Sequence, residues 1–130
     1  VIPVAVRRSR IHGQGVFTMH PVPGRCKLGE VSGVLVRTRS ALREQRQRAL
    51  IFLVELDDGW ALDCTNGNAF RHLNHACAAT CYLRVFRQRV EVYSRGAIAV
   101  GNELTVDYRI TQHPGGMLCA CGQARCRGRL

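Results

Sequence analysis

The spacing of apolar residues along the chain changes every few positions, and short alternating runs predict many short strands rather than helices. Residues 4–8 (VAVRR) read as a strand ended by Ser9 and Arg10, and residues 31–37 (VSGVLVR) as a β-branched strand. Ser40 stands as the N-cap of a helix over 41–50, with apolar residues at 42, 49 and 50 and arginines elsewhere. IFLVEL and GWALDC flank Asp57, Asp58 and Gly59, and Asp-Gly is a strong hairpin turn. Residues 63–81 are irregular apart from a short helical turn near 70–75. Residues 81–100 alternate as two strands with a turn near 87–89, and 102–108 (NELTVDY) form another strand. Gly115 and Gly116 then set off a cysteine-bearing tail, and no repeat or low-complexity segment interrupts the pattern. The sum is a mostly β domain with one or two small helices.

Length and composition sharpen this only in part. With 130 residues, 46% apolar and 22% charged, the chain is one globular domain with room for a core. No run approaches the roughly 20 apolar residues that span a bilayer, so no membrane role is expected, and residues 1–10 do not have the order of a signal peptide. Nineteen basic against nine acidic residues give a net charge of +10, and every basic residue except Lys27 is arginine. Clusters at Arg7, Arg8 and Arg10, at Arg43, Arg46 and Arg48, at Arg84, Arg87 and Arg89, and at Arg125, Arg127 and Arg129 fit either a nucleic-acid partner or a plain solvated surface. Glu55, Asp57, Asp58 and Asp63 surround Trp60, the only tryptophan, as a negative patch for a basic ligand.

Seven cysteines, an odd number, argue against a closed disulfide set and for a reducing, intracellular setting. Cys119, Cys121 and Cys126 in CACGQARC offer three thiolates at metal-ligand spacing. A structural zinc needs a fourth, for which Cys77 and Cys81 are both candidates. The stretch 63–81, DCTNGNAFRHLNHACAATC, carries polar groups that need partners if buried, and a ligand is one source of them. His75 alone reads more readily as a core histidine than as a ligand, and Tyr108 as a core aromatic. The Gly13–Gln14–Gly15 sequence permits a backbone to lie close to a ligand.

IHGQGVF, VSG, LDCTNGNAFRHLNHACAATC, GNELTVDY and CACGQARC, in that order over residues 5–129, resemble the SET-domain protein lysine methyltransferases, closest to the trithorax-like branch. The resemblance implies a β-clip-like SET fold of several small curved sheets and short helices over residues 1–110. A C-terminal pseudoknot and a zinc-bound post-SET tail over 111–130 would complete it. It implies S-adenosylmethionine held by His12, Gly13, Gln14, Gly15, Arg71, Asn74, His75 and Leu130. It implies structural zinc on Cys77, Cys119, Cys121 and Cys126, and Tyr108 as the catalytic tyrosine. Val31, Phe52, Val54 and Val106 fall at the lysine channel, three valines standing where the family has aromatics. His72 replaces the usual aromatic after Arg71, and Asn102 an acid before Glu103. The implied partner is a histone or histone-like protein, in the nucleus of a eukaryote or the cytoplasm or nucleoid of a bacterium. The rival reading is a catalytically weak or silent SET domain serving as a basic nucleic-acid or protein adaptor.

Overall fold

The computed structural model describes residues 2–40, 53–56 and 59–107. Ten strands form in the order β1 (Val4–Arg8), β2 (Gln14–Thr18), β3 (Lys27–Val31), β4 (Val34–Arg37), β5 (Leu53–Glu55), β6 (Trp60–Asp63), β7 (Asn74–His75), β8 (Cys81–Phe86), β9 (Arg89–Ser94) and β10 (Glu103–Val106). A single 3₁₀ turn, Ala69–His72, lies between β6 and β7. The strands assemble into three small sheets, ordered β1-β2-β10-β7, β3-β9-β8 and β4-β6-β5. This is the β-rich arrangement of several small sheets expected of the chain. The helix over 41–50, Phe52, the pseudoknot and the post-SET tail lie outside the described residues. Residues 38–40 are already helical, so Ser40 is not the N-cap.

Local chemistry explains most of the strands. The β5–β6 hairpin pairs antiparallel, with Leu53 opposite Asp63 and Glu55 opposite Ala61, and the Leu56 N–H donates to the Trp60 carbonyl oxygen at 2.8 Å. The β8–β9 hairpin turns at Arg87 and Gln88, whose φ values of 49° and 64° are left-handed at both positions. A primed two-residue turn requires that, although neither residue is Gly or Asn. The run 31–37 is two strands rather than one: Val31 closes β3 against β9, and Val34 opens β4 against β6. Gly33 makes the break, because a Cβ there would stand 2.6 Å from the Asp63 carbonyl oxygen.

One cluster of buried side chains joins all three sheets, including Val16 of β2, Leu28 of β3, Leu62 of β6, Val92 of β9 and Leu104 of β10. Phe70, on the 3₁₀ turn, belongs to it and lies against β3 where Gly29 leaves room. A Cβ at Gly29 would come within 2.8 Å of Phe70 Cε2 and 3.1 Å of Cζ. Gly29→Ala is therefore expected to lose about 1–3 kcal/mol by overpacking. Denaturant unfolding of Gly29→Ala, Phe70→Leu and the double variant checks it, because trimming the ring should restore part of the loss. Strictly additive losses would show that the two residues do not press on each other.

Candidate functional site

The polar centre of the molecule forms where β10 runs between β2 and β7. β10 pairs antiparallel with β2, Glu103 opposite Phe17, and parallel with β7, Thr105 opposite Asn74 and Val106 opposite His75. Parallel neighbours need a long connection between them. Here β8 and β9 supply it, and two segments about thirty residues apart in sequence end up side by side. Asn74 and His75 are thereby buried, at 7% and 4% exposure.

Buried amides need partners, and Asn74 has them. The two hydrogens of its Nδ2 are shared among three acceptors, the carbonyl oxygens of His12 and Gln14, both at 3.0 Å, and Glu103 Oε2 at 2.9 Å. Ser9 Oγ lies 2.7 and 2.9 Å from the two oxygens of the same carboxylate and accepts from the Ile11 N–H. The Ser9 N–H in turn donates to the Gly13 carbonyl oxygen at 2.8 Å. One carboxylate and one amide thus hold the whole turn from Ser9 to Gly15. Three acceptors around Nδ2 also fix which way the amide faces. Oδ1 is then the acceptor that Asn74 presents to a donor on its other side.

The two glycines of the turn have different causes. Gly13 has φ +45°, which suits glycine, and a Cβ there would meet nothing within 4 Å. Gly15 is required by the protein itself, since a Cβ would overlap Glu103 Oε2 and lie 2.8 Å from its Cδ. Ser9 and Glu103, 94 positions apart, were not among the residues expected at a site. The sequence signal for Glu103 is an acid opening the strand Glu103–Val106, which continues as Leu, Thr and Val.

The remaining site residues fall into groups. Arg71, in the 3₁₀ turn, donates from Nη1 to the Thr65 carbonyl oxygen at 2.6 Å. Burial, then the charge of Arg71, lowers the pKa of the His72 imidazole below its ordinary value. His72 is therefore neutral at physiological pH. His75 Nε2 lies 3.4 Å from Cys77 Sγ, and Nδ1 lies 3.8 Å from Asp107 Oδ1. Val31, Val54 and Val106 come together in the buried cluster. Of the negative patch, Glu55 and Asp63 lie in β5 and β6, where Asp63 Oδ1 accepts from the Thr65 N–H at 3.0 Å. The Trp60 ring is covered by the Arg37 guanidinium at 4.0 Å. Asp57, Asp58, Tyr108, Cys119, Cys121, Cys126 and Leu130 lie outside the described residues.

The central cysteines separate by burial. Cys81 lies inside the cluster, and burial pushes its thiol up to about 11. Burial, then Asp63, pushes Cys64 up to about 12. Burial thus makes both less ready than an exposed cysteine to give the thiolate that a metal needs. Cys77 sits half-buried in the turn after β7 and has no place in the cluster. Between the two candidates for a fourth ligand, the accessible one is Cys77. Among the described residues no group of three or more His, Cys, Asp or Glu gathers as a metal site.

A sequence profile described as the SET domain matches residues 13–109. The chain is 33% identical to "Histone-lysine N-methyltransferase set-2" of Caenorhabditis elegans, over 95% of this chain and 9% of that protein. It is 32% identical to "Histone-lysine N-methyltransferase trithorax" of Drosophila virilis, over 98% of this chain and 4% of the relative. Against human "Histone-lysine N-methyltransferase SETD1A" the identity is 34%, over 95% of this chain and 8% of the relative. The chain thus spans less than a tenth of the length of these curated relatives.

Proposed function

The chain belongs to the SET-domain family, and from that premise we propose that it is an S-adenosylmethionine-dependent protein lysine N-methyltransferase acting on a histone or histone-like protein. The observation that supports this best is the turn from Ser9 to Gly15, fastened by Asn74 and Glu103 beside an open glycine backbone. Such a cradle fits a small molecule carrying an ammonium group. Asn74 Oδ1 would accept from that ammonium, and the nearby Glu103 carboxylate favours a cation by its charge. The Gly13 backbone would border the amino-acid portion of the molecule, with Arg71 and His75 on the other wall and Leu130 over the purine.

When bound, S-adenosylmethionine supplies a methyl group on a cationic sulfonium sulfur. The protein's part is to align a neutral lysine nitrogen with it, which is worth several kcal/mol as pre-organised geometry (up to about 10). Val31, Val54, Phe52 and Val106 would line an apolar passage for the lysine. Removal from water lowers the amine's pKa, so the free base becomes accessible. Tyr108 would hold the amine through its hydroxyl. Three valines in place of rings weaken cation–π retention of a methylated ammonium. That observation also favours a second reading, a SET domain that has kept its cofactor turn but turns over poorly.

The test is mass spectrometry of a histone mixture incubated with the full chain, with and without S-adenosylmethionine. Methyl-lysine that appears only with the cofactor supports the enzyme. Cofactor binding by calorimetry without any methyl-lysine would leave the silent adaptor. A histone substrate also implies a nuclear location.

Zinc is proposed on Cys77, Cys119, Cys121 and Cys126, as a staple for the post-SET tail rather than a reagent. Closed thiolate sites couple metal affinity to folding. Cys77→Ser is expected to leave the purified, reduced protein with most of its zinc gone and a lower thermal midpoint. Cys81→Ser should keep the metal. Equal zinc in both variants, by elemental analysis, would remove Cys77 from the ligand set.

A further inference from the structure

The outward face of the β8–β9 hairpin has no part in the cofactor turn. Alternate residues of β8 place Tyr82, Arg84 and Phe86 on it, while Cys81, Leu83 and Val85 turn inward. β9 adds Tyr93, Glu91 and Arg89 directly across, opposite Tyr82, Arg84 and Phe86 respectively. Phe86 is 53% exposed and Tyr82 39%, unusual positions for rings that a core would bury. Tyr82 stacks on Tyr93 with centroids 5.6 Å apart and planes at 17°, which holds both rings in a fixed plane. Phe86 is flanked by two guanidiniums, Arg87 at 5.2 Å and Arg84 at 5.9 Å.

The charges on this face do not cancel. Lys27 contacts Glu91 at 2.7 Å and Glu30 at 3.0 Å, and Arg89 also pairs with Glu30. Both acids are thus occupied by cations, and among the described residues no carboxylate lies within ion-pair distance of Arg84 or Arg87. The result is a rigid strip of flat rings alternating with uncompensated arginines. A basic peptide would be repelled by it. A polyanion with flat, stackable faces fits both features.

We propose that the β8–β9 face binds single-stranded nucleic acid, with unpaired bases stacking on Tyr82 and Phe86 and phosphates meeting Arg84 and Arg87. The two rings are four strand residues apart, about 13 Å along β8. They therefore serve separate bases, with Arg84 between them for the connecting backbone. Exposed aromatics on a sheet take bases of any sequence, because every base has a π-face. A duplex keeps its bases stacked on each other and offers only phosphates. The proposal stands apart from the methyl-transfer reading, since nothing in it uses the cofactor turn.

Fluorescence anisotropy of the full chain with a labelled oligouridylate, and with a DNA duplex of equal length, tests it across a salt series. The single strand should bind more tightly than the duplex. Phe86→Ala and Tyr82→Ala should each weaken it about fivefold or more. Arg84→Ala and Arg87→Ala should each flatten the salt dependence by about 0.7 in the log–log slope. Circular dichroism checks that each variant is folded. Photocrosslinking of the unmodified chain to thiouridine-substituted RNA gives a readout independent of substitution, expected within residues 81–94. Equal affinity for duplex and single strand, insensitivity to Phe86→Ala in a folded protein, or crosslinks elsewhere would overturn the proposal. So would no binding to either.

Discussion

Asn74→Ala is expected to lose about 3 kcal/mol of folding stability, and its affinity for S-adenosylmethionine is expected to fall about 100-fold. The stability loss comes from what the side chain leaves behind. The His12 and Gln14 carbonyls and the Glu103 carboxylate would lose a shared donor in a partly buried position. An orphaned buried acceptor costs roughly 1–3 kcal/mol, and a charged one more. Ser9 still serves Glu103, which keeps the loss below the sum of three groups. The affinity loss adds the missing Oδ1 acceptor to a turn no longer held in place. Urea unfolding and titration calorimetry separate the two effects. A variant with wild-type affinity would show that the turn is held without the amide and that the ligand does not lean on it.

Asn74→Asp gives the same site a distinctive pH dependence. It sets a carboxylate against Glu103 Oε2, where the amide nitrogen now stands at 2.9 Å. Two carboxylates so close raise the folded pKa of the pair, since both cannot be charged cheaply. The folded state then binds more protons than the unfolded chain. Stability of the variant is therefore fullest at acid pH and falls as pH rises from about 4 toward the raised value. The unsubstituted chain has no such pair at Asn74, so the difference between the two unfolding curves should widen with pH. A difference that is flat across that range would mean the two side chains do not meet.

How much of this was legible follows from the distance between partners. The β5–β6 and β8–β9 hairpins join neighbouring residues, and alternation around an Asp-Gly turn or a polar tip reveals them. β3 escaped because its pairing lies with β9, far along the chain, whereas β2 pairs with neighbouring β1 and was hidden by the two glycines that open it. The split at Gly33 escaped for a similar reason, as the atom that forbids a Cβ belongs to Asp63. At the site, Asn74 and His75 stood out as polar residues that would need partners if buried. Glu103 did not, since its partners Ser9 and Asn74 come from two other strands or turns and only the β2–β10–β7 pairing assembles them. The order of motifs conveyed the family, whereas the clamp needed coordinates.

Tyr108→Phe is expected to lower turnover by about 100-fold or more while cofactor affinity stays near that of the unsubstituted chain. The substitution removes one oxygen and no ring volume, so it isolates the hydroxyl. Tyr108 is the second residue beyond β10, whose last residue, Val106, is opposite His75 and accepts from the Ala76 N–H at 3.2 Å. The chain thus leaves β10 directly beside His75. A tyrosine hydroxyl, with an ordinary pKa near 10, is protonated at neutral pH and both donates and accepts. Under the methyltransferase proposal it would fix the lone pair of the neutral lysine along the line of displacement. Misdirecting that lone pair costs rate without touching the ammonium held by Asn74. The two substitutions should therefore diverge: Asn74→Ala should change binding and stability, and Tyr108→Phe should change turnover alone. Single-turnover rates at saturating cofactor, set beside calorimetric affinities, decide it. If Tyr108→Phe transfers methyl groups at the unsubstituted rate, the lysine is aligned by some other group and the proposed role of Tyr108 fails.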